Sequence, residues 1–280
     1  MDCIFCSVDN NKRVYDYVVE KEYLVSEYNK LVDKKSYKCT VFINAQGEPL
    51  LYEPLPELIK EIKANKKTER VVLITNGTLL TSNLCRKLIN SGLDQINVSI
   101  NAINPFIAKK LANKNYNVKK VLEMCKFLSN YIDVVITPVY LKGYNDDEIE
   151  KIIEFSKSIN VKVSVQNFLN YKFGKNPIKE LSFNKFLNYI NKSKDKYKNV
   201  LLNNGDIPIN KDPVLEKPFK KGQIIKVKLI APGRLKNEKL GVYKNVNRVI
   251  SVIGSDKNIG EYEKIKIMRT KHNIFVGKVI

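Results

Sequence analysis

Residues 70–100 read RVVLITNGTLLTSNLCRKLINSGLDQINVSI. Arg70–Thr75 is a short β-branched run, Thr81–Ser91 has helical spacing and halts at Ser91-Gly92, and Gln95–Ile100 is a second β-rich run. Strand, helix and strand in one stretch of this length form a βαβ unit, and such a crossover makes the two strands parallel.

The same alternation extends outward from about residue 39 to residue 200. Further β-rich runs lie at Cys39–Asn44, Asp133–Val139 and Val161–Gln166, with one more expected at Asn199–Leu202. Helical patterns fill Pro56–Ala64, Asn117–Asn130 and Asp146–Ile159; the last begins at Asn145-Asp146-Asp147 ahead of Ile149, Ile152, Ile153 and Phe155. The expected fold class is α/β with a parallel sheet. Such domains carry their chemistry just beyond the C-terminal ends of the strands. There the chain reads Asn44-Ala45-Gln46-Gly47-Glu48-Pro49, Thr75-Asn76-Gly77-Thr78, Ser99-Ile100-Asn101-Ala102, Pro138-Val139-Tyr140 and Gln166-Asn167, polar and glycine-bearing after apolar runs.

Beyond residue 202 the pattern changes. Residues 203–216, with Gly205, Pro208 and Pro213, read as a linker between a domain at 1–202 and a second at 217–280. The second holds β-rich runs at Gln223–Ile230, Asn247–Ile253, Glu263–Met268 and Asn273–Ile280, with Ala231-Pro232-Gly233 as a turn. Short strands over some sixty residues predict a small all-β barrel of the OB type.

Charge separates the two regions. The chain has 49 Lys/Arg against 29 Asp/Glu, a net +20. Residues 217–280 hold 16 Lys/Arg against 4 Asp/Glu, so +12 of that excess sits in the tail. A concentrated excess favours a polyanionic partner over a generically basic surface. No apolar run approaches the roughly 20 residues of a membrane span, and no leader pattern is visible, so a cytoplasmic protein without membrane contact is expected.

Five cysteines without a secretion signal argue against a disulfide framework. Cys39, Cys85 and Cys125 are expected to be small buried hydrophobes. Cys3 and Cys6 form a C-x-x-C, which can grip one soft metal or one cluster. Alone it is compatible with half a zinc site, a redox pair or chance.

Its context sharpens it. Cys3-Ile4-Phe5-Cys6, followed after a strand by Gly47-Glu48-Pro49, resembles the radical S-adenosylmethionine superfamily, in which an aromatic precedes the last cysteine of C-x-x-x-C-x-Φ-C and a glycine–glutamate–proline motif follows the second strand. The resemblance covers residues 3 to about 200 and implies a partial (β/α) barrel. It implies a 4Fe-4S cluster held by Cys3 and Cys6, and S-adenosylmethionine contacted by Phe5, Gln46, Gly47, Glu48, Pro49, Asn76, Ser99 and Asn101. Glu48 would face the cofactor's ammonium, and Gly47 would allow close backbone approach. One electron, from a separate donor, would cleave the bound cofactor to a 5′-deoxyadenosyl radical that abstracts hydrogen. The family's first cysteine would stand four positions before Cys3, ahead of Met1. The expectation is a start further upstream; a decayed site is the alternative.

The tail resembles the TRAM domain of RNA-modifying enzymes, on Phe219-Lys220-Lys221-Gly222-Gln223, Ala231-Pro232-Gly233 and His272-Asn273-Ile274-Phe275-Val276-Gly277-Lys278. That likeness implies RNA as the partner. Lys220, Lys221, Arg234, Lys239, Lys244 and Arg248 would contact phosphates, and Phe219, Tyr243 and Phe275 would stack on bases or, for Phe275 above all, fill the barrel. The function expected is an iron–sulfur, S-adenosylmethionine-dependent radical enzyme acting on RNA, tRNA first. A radical enzyme on a small metabolite or a protein, and a non-catalytic RNA-binding protein with a degenerate cluster site, are the alternatives. Oligomeric state stays open.

Overall fold

The computed structural model describes residues 1–7, 18–171, 174–194, 196–197, 199–202, 216–233 and 235–280. The described residues divide into two compact units, one reaching residue 202 and one running from residue 216. The expected linker at 203–216 lies outside the described residues but for Glu216.

The first unit is built on five parallel strands in the order β1-β2-β3-β4-β6: β1 (Cys39–Ile43), β2 (Thr68–Thr75), β3 (Gln95–Val98), β4 (Asp133–Ile136) and β6 (Lys162–Val163). Successive residues on a strand face opposite sides. Val71, Leu73, Ile96, Val98, Val134, Ile136 and Val163 therefore point one way, into a core shared with the helices. Those helices are α2 (Leu55–Ala64), α3 (Ser82–Asn90) and α5 (Val118–Leu128), which contribute Leu58, Ile59, Ile62, Leu88, Val121 and Leu128. Each such side chain stabilises the fold by about 1.5–3 kcal/mol on burial. Cys85 and Cys125 lie in this core, and burial pushes their thiols up to about 11 and about 12. Cys39 departs from expectation. It is only half-buried, at the start of the edge strand β1.

Two long runs each break into two short strands. Asp133–Val139 divides at Pro138 into β4 and β5 (Val139–Tyr140), and Val161–Gln166 divides into β6 and β7 (Gln166–Asn167); β5 and β7 pair with each other in a separate two-stranded sheet. Asn199–Leu202 reduces to one parallel bridge, Val163 to Leu201. The helices α1 (Lys21–Val32), α4 (Pro105–Ala112) and α7 (Phe183–Lys194) were not expected from the sequence, whereas α6 (Asp146–Ser158) was. Asn145 precedes α6 without capping it. Its side chain accepts from the Leu141 N–H and donates to the carbonyls of Asn101 and Val139.

The second unit is a closed five-stranded barrel, in the order β10-β12-β11-β8-β9, so the α/β unit and the small barrel are both as expected. Its strands are β8 (Ile224–Pro232), β9 (Glu238–Tyr243), β10 (Val246–Ile253), β11 (Tyr262–Arg269) and β12 (Phe275–Val279). Strand β9 was not foreseen, and β8 runs through Ala231-Pro232 where a turn was expected. The barrel interior is narrow. A Cβ at Gly277 would lie 2.5 Å from Ile265 Cδ1, and one at Gly241 would lie 2.9 Å from Val227 Cγ2. Phe219 and Phe275 plug it edge to face, 5.2 Å between centroids, and Tyr243 meets Phe219 at 5.9 Å. Phe219 and Phe275 are thus core residues and do not offer themselves to bases.

Candidate functional site

The loop after β1 and the end of β2 meet around one carboxylate. Glu48 follows β1 and caps the short 3-10 turn Pro49–Leu51 by accepting the Leu50 N–H at 3.1 Å on Oε1. Oε1 also accepts from the buried Thr75 hydroxyl, at the end of β2. Oε2 accepts the Asn76 N–H at 2.9 Å. Asn76 in turn folds back on itself, its side-chain oxygen accepting from the Thr78 N–H at 2.9 Å. Gly77 then takes φ +75°, and a Cβ there would lie 2.8 Å from Val121 Cγ1 and 3.0 Å from Val98 Cγ1. Only glycine fits this turn. The three bonds fix the Glu48 carboxylate against the sheet, while the half-buried side chain stays accessible from the strand ends.

The cysteine turn is fastened separately. Asp2 N–H and Ile4 N–H donate to the carbonyls of Ala112 and Leu111, at 3.2 and 3.1 Å. Those carbonyls belong to the last turn of α4, where helix oxygens lack partners of their own. The Cys6 N–H closes the turn on the Cys3 carbonyl at 3.2 Å. From the other side, Lys175 N–H donates to the Cys6 carbonyl at 2.8 Å, and the Lys175 ammonium pairs with Asp2. Ile4 and Phe5 pack against the main core. Both thiols are half-buried, and burial, reinforced by Cys6 alongside, pushes Cys3 up to about 11.

Tyr116 joins the two parts. It is buried, its hydroxyl donates to the Asn76 carbonyl at 3.3 Å, and burial together with Cys125, Cys3 and Glu48 nearby pushes its phenol well above the ordinary range. Tyr116 thus touches the Asn76 turn directly and feels the charges of Cys3 and Glu48. Sequence reasoning placed Thr75 at a strand end without its bond to Glu48, and it missed Tyr116, Lys175 and the tie that Asp2 makes to Lys175; these act through geometry alone.

The other expected residues of this unit lie in the loops after β1 and β3. Pro49 is buried, and Gln46 and Gly47 are exposed. A Cβ at Gly47 would meet nothing of the chain within 4 Å, so the chain's own packing does not demand glycine there. Ser99 N–H donates to the Thr75 carbonyl at 2.9 Å, and its half-buried hydroxyl bonds to none of the described residues. Asn101 is buried and holds the backbone, its side-chain oxygen accepting from the Val139 N–H at 2.8 Å.

In the barrel, Lys220 and Lys221 are exposed. The Lys239 ammonium donates to the carbonyls of Ser255 and Lys257. Lys244 lies over the Tyr243 ring, and Arg248 is half-buried and engaged within the chain. Arg234 lies outside the described residues.

Two thiol donors on one turn suit two corners of a metal cluster. At the pKa of Cys3, a thiolate at neutral pH needs a metal's positive charge to stabilise it. Among the described residues no group of three or more His, Cys, Asp or Glu side chains is placed to hold a metal. Nor is any helix among them long and apolar enough to cross a membrane.

Residues 1–156 match the model of the Radical SAM superfamily. Over 317 aligned positions the chain is 35% identical to the uncharacterized protein MJ0103 of Methanocaldococcus jannaschii, covering all of this chain and 72% of that one. It is 32% identical to the GTP 3′,8-cyclase of Aquifex aeolicus over 166 positions, 57% of this chain and 50% of the cyclase. The chain thus spans about half the length of the cyclases it matches. Among solved structures, SuiB of Streptococcus suis bound to S-adenosylmethionine superposes with TM-score 0.60 at 15% identity, over 73% of this chain and 47% of SuiB. Methylornithine synthase superposes with TM-score 0.55 at 16% identity, over 71% of this chain and 59% of that one. At such identities the superpositions speak for the fold alone.

Proposed function

Because the chain belongs to the Radical SAM superfamily, whose cofactors are a 4Fe-4S cluster and S-adenosylmethionine, we propose that it is a radical enzyme acting on RNA, tRNA first. When bound, the cluster would supply the electron for reductive cleavage of the sulfonium cofactor. The chain's residues supply the setting. Cys3 and Cys6 would hold iron. A carboxylate has about four lone-pair sites, and Glu48 has used three, which leaves one on Oε2 for a cationic donor such as the cofactor's ammonium. The Ser99 hydroxyl and the open space before Gly47 leave room for the rest of that ligand. Phe5, Asn101 and Tyr116 position these groups.

The observation that carries the RNA reading is the barrel, in a span with an excess of +12. A second reading, a radical enzyme on a nucleotide or other small metabolite, is favoured by the 32% identity to GTP 3′,8-cyclase. The test is anaerobic reconstitution of the chain, followed by iron analysis and release of 5′-deoxyadenosine under a chemical reductant, with tRNA or GTP added. The expected result is bound iron, loss of that iron in Cys6→Ala, and cofactor cleavage stimulated by tRNA. Stimulation by GTP and not by tRNA would move the second reading to first place. RNA binding by an iron-loaded protein that cleaves nothing would leave a binding protein.

A further inference from the structure

On the barrel, Lys226, Lys228, Lys264, Lys266 and Lys278 project outward from the three adjacent strands β8, β11 and β12. The alternation of β8 turns Ile225, Val227 and Leu229 inward and Lys226 and Lys228 outward; on β11 it turns Ile265 and Ile267 inward and Lys264 and Lys266 outward. The register then sets Lys226 opposite Lys264, Lys266 opposite Lys278, and Lys228 opposite Tyr262. Like charges directly opposite each other on a sheet repel.

The barrel offers them no relief. Among the described residues none of the five lysines forms an ion pair. Glu263 points inward and is taken by Ser255 and Lys257, Glu261 accepts the Asn258 N–H, and Glu238 accepts the Leu235 N–H. A lysine-rich composition would spread cations over every outward position. It does not here, because the outward residues of β9 and β10 are Leu240, Val242, Val249, Ser251 and Ile253 beside Glu238. Among the outward-facing strand residues named here, the lysines stand on β8, β11 and β12.

We infer that this face, β8–β11–β12, is the surface on which the barrel grips a strand of RNA. The inference rests on the RNA reading above and locates its contact. Lysines two apart on a strand stand about 6.6–6.8 Å from each other, and neighbouring strands lie about 4.8 Å apart, so the five form a compact lattice for successive phosphates. Tyr262 stands at its edge, 53% exposed, with the Lys226 ammonium 5.5 Å from its ring centroid. An exposed ring among cations can stack on an unpaired base while its neighbours hold the backbone. This differs from the sequence expectation. Lys239 spends its ammonium on carbonyls, and Phe219 and Phe275 are buried.

The test is direct titration of the full chain with fluorescent tRNA, a single-stranded oligonucleotide and phosphatidylserine vesicles, across a range of salt. The variant Lys226→Gln/Lys264→Gln/Lys266→Gln should bind RNA on the order of 100-fold more weakly near 0.1 M salt. Its salt slope should be flatter by about 2, since each contact contributes about 0.7 on a single strand. The triple Lys→Arg variant keeps the charge and should bind as the parent does; unchanged thermal unfolding of both establishes the fold. Parental RNA affinity in the folded glutamine variant would overturn the location and leave the RNA reading standing. No RNA binding by the parent would overturn both. Binding to vesicles and not to RNA, lost in the glutamine variant, would assign the face to a lipid surface instead.

Discussion

Glu48 carries two duties that a single substitution can separate. Its carboxylate accepts from Leu50, Thr75 and Asn76, which ties the loop after β1 to the end of β2, and one lone pair is left over. Glu48→Ala removes all three bonds and leaves the Asn76 N–H without its partner. The expected loss is about 2 kcal/mol, within the range for hydrogen bonds to a charged group. Glu48→Gln keeps one acceptor oxygen, sets its NH2 against either the Leu50 or the Asn76 N–H, and removes the negative charge. Its thermal midpoint should fall between those of the parent and the Ala variant, and it should bind S-adenosylmethionine less tightly, as calorimetric titration of iron-loaded protein would measure. Equal cofactor affinity in a folded Gln variant would make Glu48 a purely structural residue. The motif Gly47-Glu48-Pro49 was legible because its residues adjoin one another. The bond of Thr75 to that carboxylate, and Tyr116 altogether, were not, because the fold alone brings residues so far apart in sequence to one carboxylate and one carbonyl.

At the scale of elements, helix α6 anchors helix α4. Glu148, in the first turn of α6, is fully buried and accepts the N–H groups of Ile103 and Asn104 at 2.7 and 2.8 Å, just before α4 begins. Lys151 pairs with its other oxygen. Burial alone would raise its pKa, but the Asn104 N–H, Lys151 and the Ile103 N–H outweigh it and hold the group below 4.5. A depressed carboxyl stabilises the fold above its unfolded pKa and loses that contribution as pH falls through the folded one. Glu148→Ala should cost about 3 kcal/mol by leaving two backbone donors unsatisfied. That corresponds to a thermal midpoint lower by roughly 6–12 °C. Since α4 supplies the carbonyls that hold Asp2 and Ile4, the variant should also release iron to a chelator faster than the parent. An unchanged midpoint would show that the two N–H groups find water.

These same elements mark where the sequence was readable. The strands and α2, α3, α5 and α6 announced themselves by apolar spacing. Helix α4 did not, because Asn104-Pro105 reads as a break; in the fold Pro105 occupies the first helical position, where its missing N–H costs nothing, and Asn104 caps Phe106 and Ile107. Helices α1 and α7 are too polar to stand out, with Val32 the buried residue of α1. Strand β9 was hidden by Gly241, which weakens a strand pattern yet is required there by Val227 on the neighbouring strand β8.

At the scale of the whole chain, a net charge of +20 acts in two directions at once. Unbalanced cations repel one another in the folded state, a cost that salt reduces. The screening length falls from about 30 Å at 0.01 M to about 8 Å at 0.15 M, so adding sodium chloride across that range should raise the thermal midpoint. The same salt should weaken RNA binding, because counterions released from phosphates drive it. Opposite signs for stability and affinity distinguish this protein from one held by surface ion pairs, in which both would fall. In acid the sign reverses again. Glu263, held below 4.5 by Ser255 against the cost of its own burial, with Lys257 helping, adds stability above that pH and withdraws it as pH falls through its folded pKa; Glu148 does likewise. The protein should therefore be most resistant to heat at neutral pH and moderate salt. RNA binding to the folded chain alone would stabilise it by about 2.7 kcal/mol at a hundredfold excess over Kd. Unfolding followed at 0.01 M salt, with and without a single-stranded oligonucleotide, would read this as a rise in midpoint that 0.3 M salt abolishes. The Lys226→Gln/Lys264→Gln/Lys266→Gln variant should start from a higher midpoint, relieved of repulsion, and gain less from RNA. A lower starting midpoint in that variant would mean that the lysine stems contribute more packing than their charges cost.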